Sequence, residues 1–147
     1  MNRIKVELPE KFSFQTTMRI RITDINYGGH VGNDAFLSLI HEARQRFLLH
    51  YNYEELKLGS FAVIMADAAI EFKRELNYGE EMIISVAAAN FDKYSFDIFY
   101  KMEVNTSDGF VLAGKAKTGM ICFDYAVKKK VSLEEEVIRT LSGKEEG

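Results

Sequence analysis

Asp24-Ile25-Asn26-Tyr27-Gly28-Gly29-His30-Val31-Gly32-Asn33-Asp34 ends one sequence pattern and begins another. Before it, Phe12, Phe14, Met18, Ile20 and Ile22 keep a two-residue spacing among polar neighbours, which predicts a strand over roughly residues 12–22. After it, Phe36, Leu37, Leu39, Ile40, Ala43, Phe47 and Leu48 recur at intervals of three and four. That is the period of a helix from about Ala35 to Tyr51, and its wide apolar surface predicts a mostly enclosed helix. The stretch itself carries two aspartates, two asparagines, one histidine and three glycines. Glycine permits positive φ and close backbone approach. The first turn of a helix offers free N–H groups and a partial positive charge, both suited to an oxyanion. Chemistry-bearing side chains and an anion-binding backbone are therefore expected together at this corner.

The second half reads as strands. Phe61 to Phe72 is a nearly continuous apolar run interrupted by Asp67, and Met82 to Ala89 is another strand after the turn Tyr78-Gly79-Glu80-Glu81. Tyr94, Phe96, Ile98, Tyr100, Met102 and Val104 alternate with their neighbours, a clear two-residue period. Asn105-Thr106-Ser107-Asp108-Gly109 carries the Asp-Gly hairpin signal before a last strand from Phe110 to Phe123. Ser132-Leu133-Glu134-Glu135 fits a capping box opening a short helix, and Lys144–Gly147 reads as a frayed tail. Strand, long helix, then four long antiparallel strands suits an α+β fold in which one helix is wrapped by a strongly curved sheet. The two sheet edges then need cover, which predicts pairing between protomers.

The chain has 147 residues, 47% hydrophobic and 28% charged, with a net charge of -3. That is one domain, read as residues 1–147, able to bury a core. The near-neutral balance argues against a basic nucleic-acid surface, and Lys128-Lys129-Lys130 reads as a solvated turn. Cys122 is the single cysteine, so no intrachain disulfide or cysteine metal cluster is expected, and its apolar neighbours predict a buried, inert thiol. His30, His41 and His50 lack the four-residue spacing of a helical ligand pair, so no metal site is expected. No signal-peptide core or membrane-length apolar run is present, and the expected location is cytoplasmic.

Several of these segments, in this order, resemble the hotdog-fold acyl-CoA thioesterases, in the branch that includes 4-hydroxybenzoyl-CoA thioesterase. The branch pattern is close to Asp-x-Asp-x-x-Gly-His-Val-Asn-Asn, with Glu-Ala-Arg at the end of the following helix. Asp24-Ile25-Asn26, Gly29-His30-Val31-Gly32-Asn33 and Glu42-Ala43-Arg44 match it in turn. Ile70 to Glu81 resembles that family's second strand and turn, and Lys93-Tyr94-Ser95-Phe96 the start of its central hairpin. The resemblance implies a hotdog fold, with a long central helix wrapped by a curved antiparallel sheet of about five strands. It also implies a homodimer or dimer of dimers with its site between protomers. The implied activity is hydrolysis of an acyl-CoA thioester, with no cofactor except coenzyme A as part of the substrate.

One departure bears on mechanism. The branch's catalytic carboxylate lies four residues before the histidine, where this chain has Asn26. An amide is neither nucleophile nor general base, although it can orient a water or polarise a carbonyl. Two other readings stand beside hydrolysis: a binding module that keeps an acyl pocket without catalysis, and an enoyl-CoA hydratase. Hydratases of this fold carry Asp-x-Asn-Pro-x-His, but here the proline is missing and one extra residue separates Asn26 from His30.

The candidate catalytic residues are Asp24, as base or as a support for His30, Asn26, and His30, as the group that activates water. Gly29, Val31, Asn33, Asp34, Glu42 and Asp67 are candidate substrate-binding residues. Each also has a structural reading. Asp24 suits a turn, Asp34 and Asn33 suit a helix start, and Glu42 suits an anchor to Arg44 or Arg46. A base role for Asp34 would restore the lost carboxylate. Asp67 stands alone among Val63, Ile64, Met65, Ala66, Ala68 and Ala69, facing a partner's site or a solvated edge. The N–H groups of His30 and Val31, after the two glycines, are expected oxyanion donors.

Overall fold

Two-residue alternation puts every second side chain on one sheet face, and the four long strands of the second half use it to build a core. The computed structural model describes residues 2–143, so the tail read at Lys144–Gly147 lies outside the described residues. In chain order the elements are β1 (Phe14–Arg19), a 3-10 turn (Ile22–Asp24), α1 (Asn33–His50), β2 (Ala62–Phe72) and β3 (Glu81–Ala89). They continue with β4 (Ser95–Thr106), β5 (Gly109–Asp124), the two-residue β6 (Lys129–Lys130) and α2 (Glu135–Leu141). The fold is α+β: a curved antiparallel sheet in the order β1-β3-β4-β5-β2, with β6 on β5.

Register follows the sequence signals. Thr106 pairs with Gly109 to close the β4–β5 hairpin, and Tyr100 faces Val86 on β3 and Ala116 on β5. Tyr100, Phe96, Ile98, Met102, Ile84 and Met82 of these central strands are enclosed, and α1 adds Phe36, Leu39, Ile40, Ala43, Phe47 and Leu48 to the same core. Each large apolar side chain buried this way contributes about 1.5–3 kcal/mol. The opposite face of α1, including Leu37, Ser38, His41 and Glu42, remains exposed. The helix is thus one-sided rather than mostly enclosed.

Two local readings change. The apolar run of β2 predicts a buried strand, yet β2 is an edge strand, and Met65, Ala66, Asp67 and Ala68 are exposed. A β-bulge between Met65 and Asp67 shifts its register on β5. The capping box at Ser132 does not form. The Leu133 N–H donates to the Lys93 carbonyl, holding this segment against the sheet, and α2 starts beyond Glu134. The Glu134 carboxylate instead accepts the Ser60 N–H at 2.6 Å.

Candidate functional site

The corner before α1 is built by short backbone bonds. The Asn26 N–H donates to the His30 carbonyl at 3.0 Å and the Gly29 N–H to the Asn26 carbonyl at 3.1 Å, closing a tight loop in which Gly29 has φ 84°. The Val31 N–H donates to the Leu76 carbonyl at 2.9 Å, and His30 bridges Asn77, so the loop is laid against the turn before β3. Val31 therefore has no amide proton left for an oxyanion. The free donors lie one step further on. Gly32 is the N-cap of α1 with no side-chain cap, and the Phe36 N–H makes the first helical bond, to the Gly32 carbonyl. The N–H groups of Asn33, Asp34 and Ala35 have no helical acceptor.

Three side chains converge here. The Gly28 N–H donates to Asn26 Oδ1 at 2.8 Å, which fixes the amide orientation, since only the oxygen accepts. A methyl group at Gly28 would meet His30 Nε2 at 3.1 Å and Asn26 Oδ1 at 3.3 Å. A methyl group at Gly32 would meet Asp34 Oδ1 at 2.9 Å and Asn26 Nδ2 at 3.3 Å. Asn26 thus borders both glycine positions, with the imidazole beside the first and the carboxylate beside the second, and the absence of side chains at 28 and 32 is what makes room. His30 Nδ1–H donates to the Val31 carbonyl at 3.3 Å, leaving Nε2 toward Gly28, with Glu75 Oε1 3.6 Å away.

Beside this convergence is a cavity of about 360 Å³ lined by Thr23, Asp24, Asn26, Gly32, Asp34 and Ala35 among others. Its two aspartates differ. Asp24 is 6% exposed, and one carboxylate oxygen accepts the Arg21 N–H at 2.8 Å. The other lies 3.3 Å from the Arg21 guanidinium. Its charge is committed to the 3-10 turn. Asp34 is exposed in the first turn of α1, where the helix dipole favours an anion, and no hydrogen bond or ion pair among the described residues engages its side chain.

The remaining candidates are Asn33 at the same helix start, and Glu42 and Asp67 elsewhere. Asn33 is the exposed first residue of α1. Glu42 is 52% exposed, pairs with Arg46 at 2.8 Å, and lines a separate cleft of about 590 Å³ between β1 and α1. That cleft shares the Asp24 wall with the motif cavity. Asp67 accepts the Gly119 N–H at 3.0 Å and pairs with Lys117 at 3.1 Å, pinning the β2 bulge. Asp67, with Asp97 beside it, pulls the Lys117 ammonium above its usual pKa, against the effect of burial. The Cys122 thiol is pushed up by burial and by nearby Glu134, as suits an inert thiol. Among the described residues no cluster of three or more His, Cys, Asp or Glu could hold a metal ion, and no helix is long and apolar enough to cross a membrane.

Sequence reasoning passed over Gly32, although it stands where the thioesterase pattern carries asparagine. It also passed over Ala35 and over a network in the middle of α1. There Arg44 Nε donates to Glu55 at 2.8 Å and Nη1 to the Tyr100 hydroxyl at 3.2 Å, while Tyr100 Oη lies 2.7 Å from Thr118 Oγ1. Burial pushes the Tyr100 phenol up despite Arg44, so it stays a hydrogen-bond donor.

Residues 20–141 match the model of the Thioesterase-like superfamily, and the chain belongs to that family. It is 26% identical over 132 residues to a 1,4-dihydroxy-2-naphthoyl-CoA hydrolase from Nostoc punctiforme, covering 88% of this chain and 86% of that protein. Its fold matches the crystal structure of a 1,4-dihydroxy-2-naphthoyl-CoA thioesterase from Synechocystis with a TM-score of 0.75 at 21% identity, over 87% of this chain and 94% of the other. It matches 4-hydroxybenzoyl CoA thioesterase from Pseudomonas sp. strain CBS-3 with a TM-score of 0.75 at 13% identity, over 86% and 97% of the two chains.

Proposed function

We propose that this protein hydrolyses an acyl-CoA thioester at the start of α1, with Asp34 as general base. One observation carries the reading: an uncommitted carboxylate, an oriented amide and an imidazole are gathered around two glycines at a helix N-terminus in a member of the Thioesterase-like superfamily. The thioester carbonyl oxygen faces the N–H groups of Asn33, Asp34 and Ala35. Asp34 takes a proton from water as the water oxygen bonds to the carbonyl carbon, and the C=O pair moves onto oxygen. The helix-start donors hold that oxyanion, a contribution worth about 3–4 kcal/mol per well-placed donor in other acyl-transfer sites. Collapse breaks the C–S bond and expels the coenzyme A thiolate, and His30 Nε2 passes to it the proton that Asp34 drew from the water. Asn26 orients the water, its Nδ2 toward Asp34 and its Oδ1 toward His30.

Coenzyme A enters only as part of the substrate, and no other cofactor is called on. Residues 1–147 act as one hotdog unit, with α1 as the central helix inside the sheet. The exposed edge strand β2 pairs with a second copy to give a homodimer or dimer of dimers in the cytoplasm, bringing the site to a protomer boundary. The test is release of free thiol from short, long and aromatic acyl-CoAs by purified protein. No release from any of them by folded protein would sink the hydrolase reading. Acyl-CoA binding without turnover, measured by calorimetry, would favour the binding module that Asn26 also permits.

A further inference from the structure

A third cavity, of about 200 Å³, opens between α1 and the strands β2 and β5. Its apolar walls include Leu37, Ile40 and Met65, and its polar ones His41, Arg44 and Thr118. Arg44 is only 5% exposed. Nε is taken by Glu55 and one Nη1 proton by Tyr100, but Nη2 has no acceptor among the described residues. Every side-chain nitrogen or oxygen sealed from solvent among those residues does have a partner, so Nη2 is not sealed in closed protein, and Arg44 is part of the cavity wall. Thr118 is 1% exposed, with Oγ1 2.7 Å from the Tyr100 hydroxyl. Tyr100 accepts from Arg44, and in the arrangement where it gives its own proton to Thr118 the Thr118 proton is left for the cavity. A buried cation with a spare donor and a buried hydroxyl thus line one space, beside Ser38 and His41. Such donors are costly to leave unmatched.

Position gives the cavity a relation to the catalytic corner. Asp34 and His41 are two turns apart on α1, about 10 Å along its axis. Leu37 and Ser38 occupy the turn between them and are exposed. We infer that the Arg44–Thr118 cavity is an acyl subsite that recognises an acceptor oxygen at the far end of the acyl group, across the turn of Leu37 and Ser38 from the thioester carbonyl. The inference rests on the hydrolase reading for where the carbonyl sits. The preferred substrate class is then acyl-CoA whose acyl part ends in a carboxylate, keto or phenolic oxygen. Plain alkyl chains would leave the Arg44 and Thr118 donors unmet.

Paired ligands separate the two ideas. Thioether analogues of octanoyl-CoA and of its ω-carboxylate counterpart, suberoyl-CoA, cannot be hydrolysed, and calorimetry on the intact protein reads their affinity ratio. A second pair, analogues of 2-naphthoyl-CoA and 6-hydroxy-2-naphthoyl-CoA, tests a phenolic oxygen. The oxygen-bearing member of at least one pair should bind about tenfold tighter, the worth of a hydrogen bond to a charged group. That ratio should fall to near one in Thr118→Val, which keeps the side-chain shape, and in Arg44→Gln. If Arg44→Gln does not fold, Thr118→Val alone decides. Equal affinities within both pairs in the unaltered protein, or a preference that survives Thr118→Val, would overturn the subsite. Discrimination in binding without thiol release from the parent thioesters would remove the hydrolase reading and leave the subsite standing.

Discussion

Asp24 and Asp34 line the same cavity, and the backbone around each decides what its charge can do. Asp24 ends a 3-10 turn whose own N–H and arginine consume both carboxylate oxygens. Asp34 enters a long helix through a glycine N-cap, so neither its side chain nor the first-turn amides are consumed. The buried, satisfied aspartate stabilises structure. The exposed, unsatisfied one is available for chemistry. Sequence proximity to His30 does not separate them, and hydrogen-bond accounting does.

The largest expected effect breaks this contrast in one step. Asp34→Asn should lower kcat for the best acyl-CoA by about 100-fold or more, the usual worth of a general base, with an unchanged melting temperature. Asp24→Ala should do the opposite. Losing a buried, charge-assisted pair of bonds costs about 1–3 kcal/mol and should depress the melting temperature by several degrees. The kcat of the protein that remains folded should stay within about threefold of the original, since Asp24 takes no proton in the reaction. Kinetics and thermal unfolding on both variants would invert the assignment if Asp24→Ala lost turnover and Asp34→Asn did not.

Smaller effects sharpen the picture. His30→Ala should reduce turnover by about tenfold without unfolding the protein, because a thiolate leaves with less help than an amine or alkoxide would need. Unchanged turnover would remove His30 from the mechanism. Asn26→Asp should also lose activity, by about tenfold at neutral pH, because a second carboxylate beside Asp34 disfavours two charges at once. A gain in hydrolysis would instead mark Asn26 as the lesion of a weakened site.

The smallest effect concerns the turn that supports His30. Burial pushes the Glu80 carboxyl up, but Arg74 at 3.0 Å and the Asn77 N–H at 2.7 Å outweigh it, and its pKa lies below the usual value. A lowered folded-state pKa contributes stability that is present above the unfolded value of about 4.3 and lost as pH falls through the folded one. Glu80→Gln should therefore cost about 1 kcal/mol or less at pH 7, given partial exposure, with the gap closing below about pH 4. Urea unfolding at both pH values would show it, and a gap that widened on acidification would contradict the assignment.

How much of this was legible in the sequence varied with the length scale of the signal. α1 and the long strands announced themselves because many apolar positions repeat one period, and the observed bounds differ from the expected ones by a few residues. Asp67 was legible only as an alternative, a partner's site or a solvated edge, because the run of apolar residues around it reads as buried; the middle of β2 is an exposed edge with a bulge that the aspartate itself pins. Ser132 misled because a local capping motif lost to a bond between Leu133 and Lys93, distant in sequence. The convergence of Asn26, His30 and Asp34 was only half visible. The glycines marked a loop, but which carboxylate the 3-10 turn would consume depends on Arg21, which lies outside the motif. The Arg44 network was not readable, since it joins α1 to β4 and β5 across more than fifty positions.

The most direct test is a crystal structure with an unreactive thioester analogue that keeps the carbonyl. Hydrolysis at the start of α1 requires the carbonyl oxygen within hydrogen-bond distance of the Asn33–Ala35 N–H groups and the carbonyl carbon open to a water held by Asp34. A carbonyl seated in the cleft beside Glu42, away from Asp34 and the first turn of α1, would contradict it.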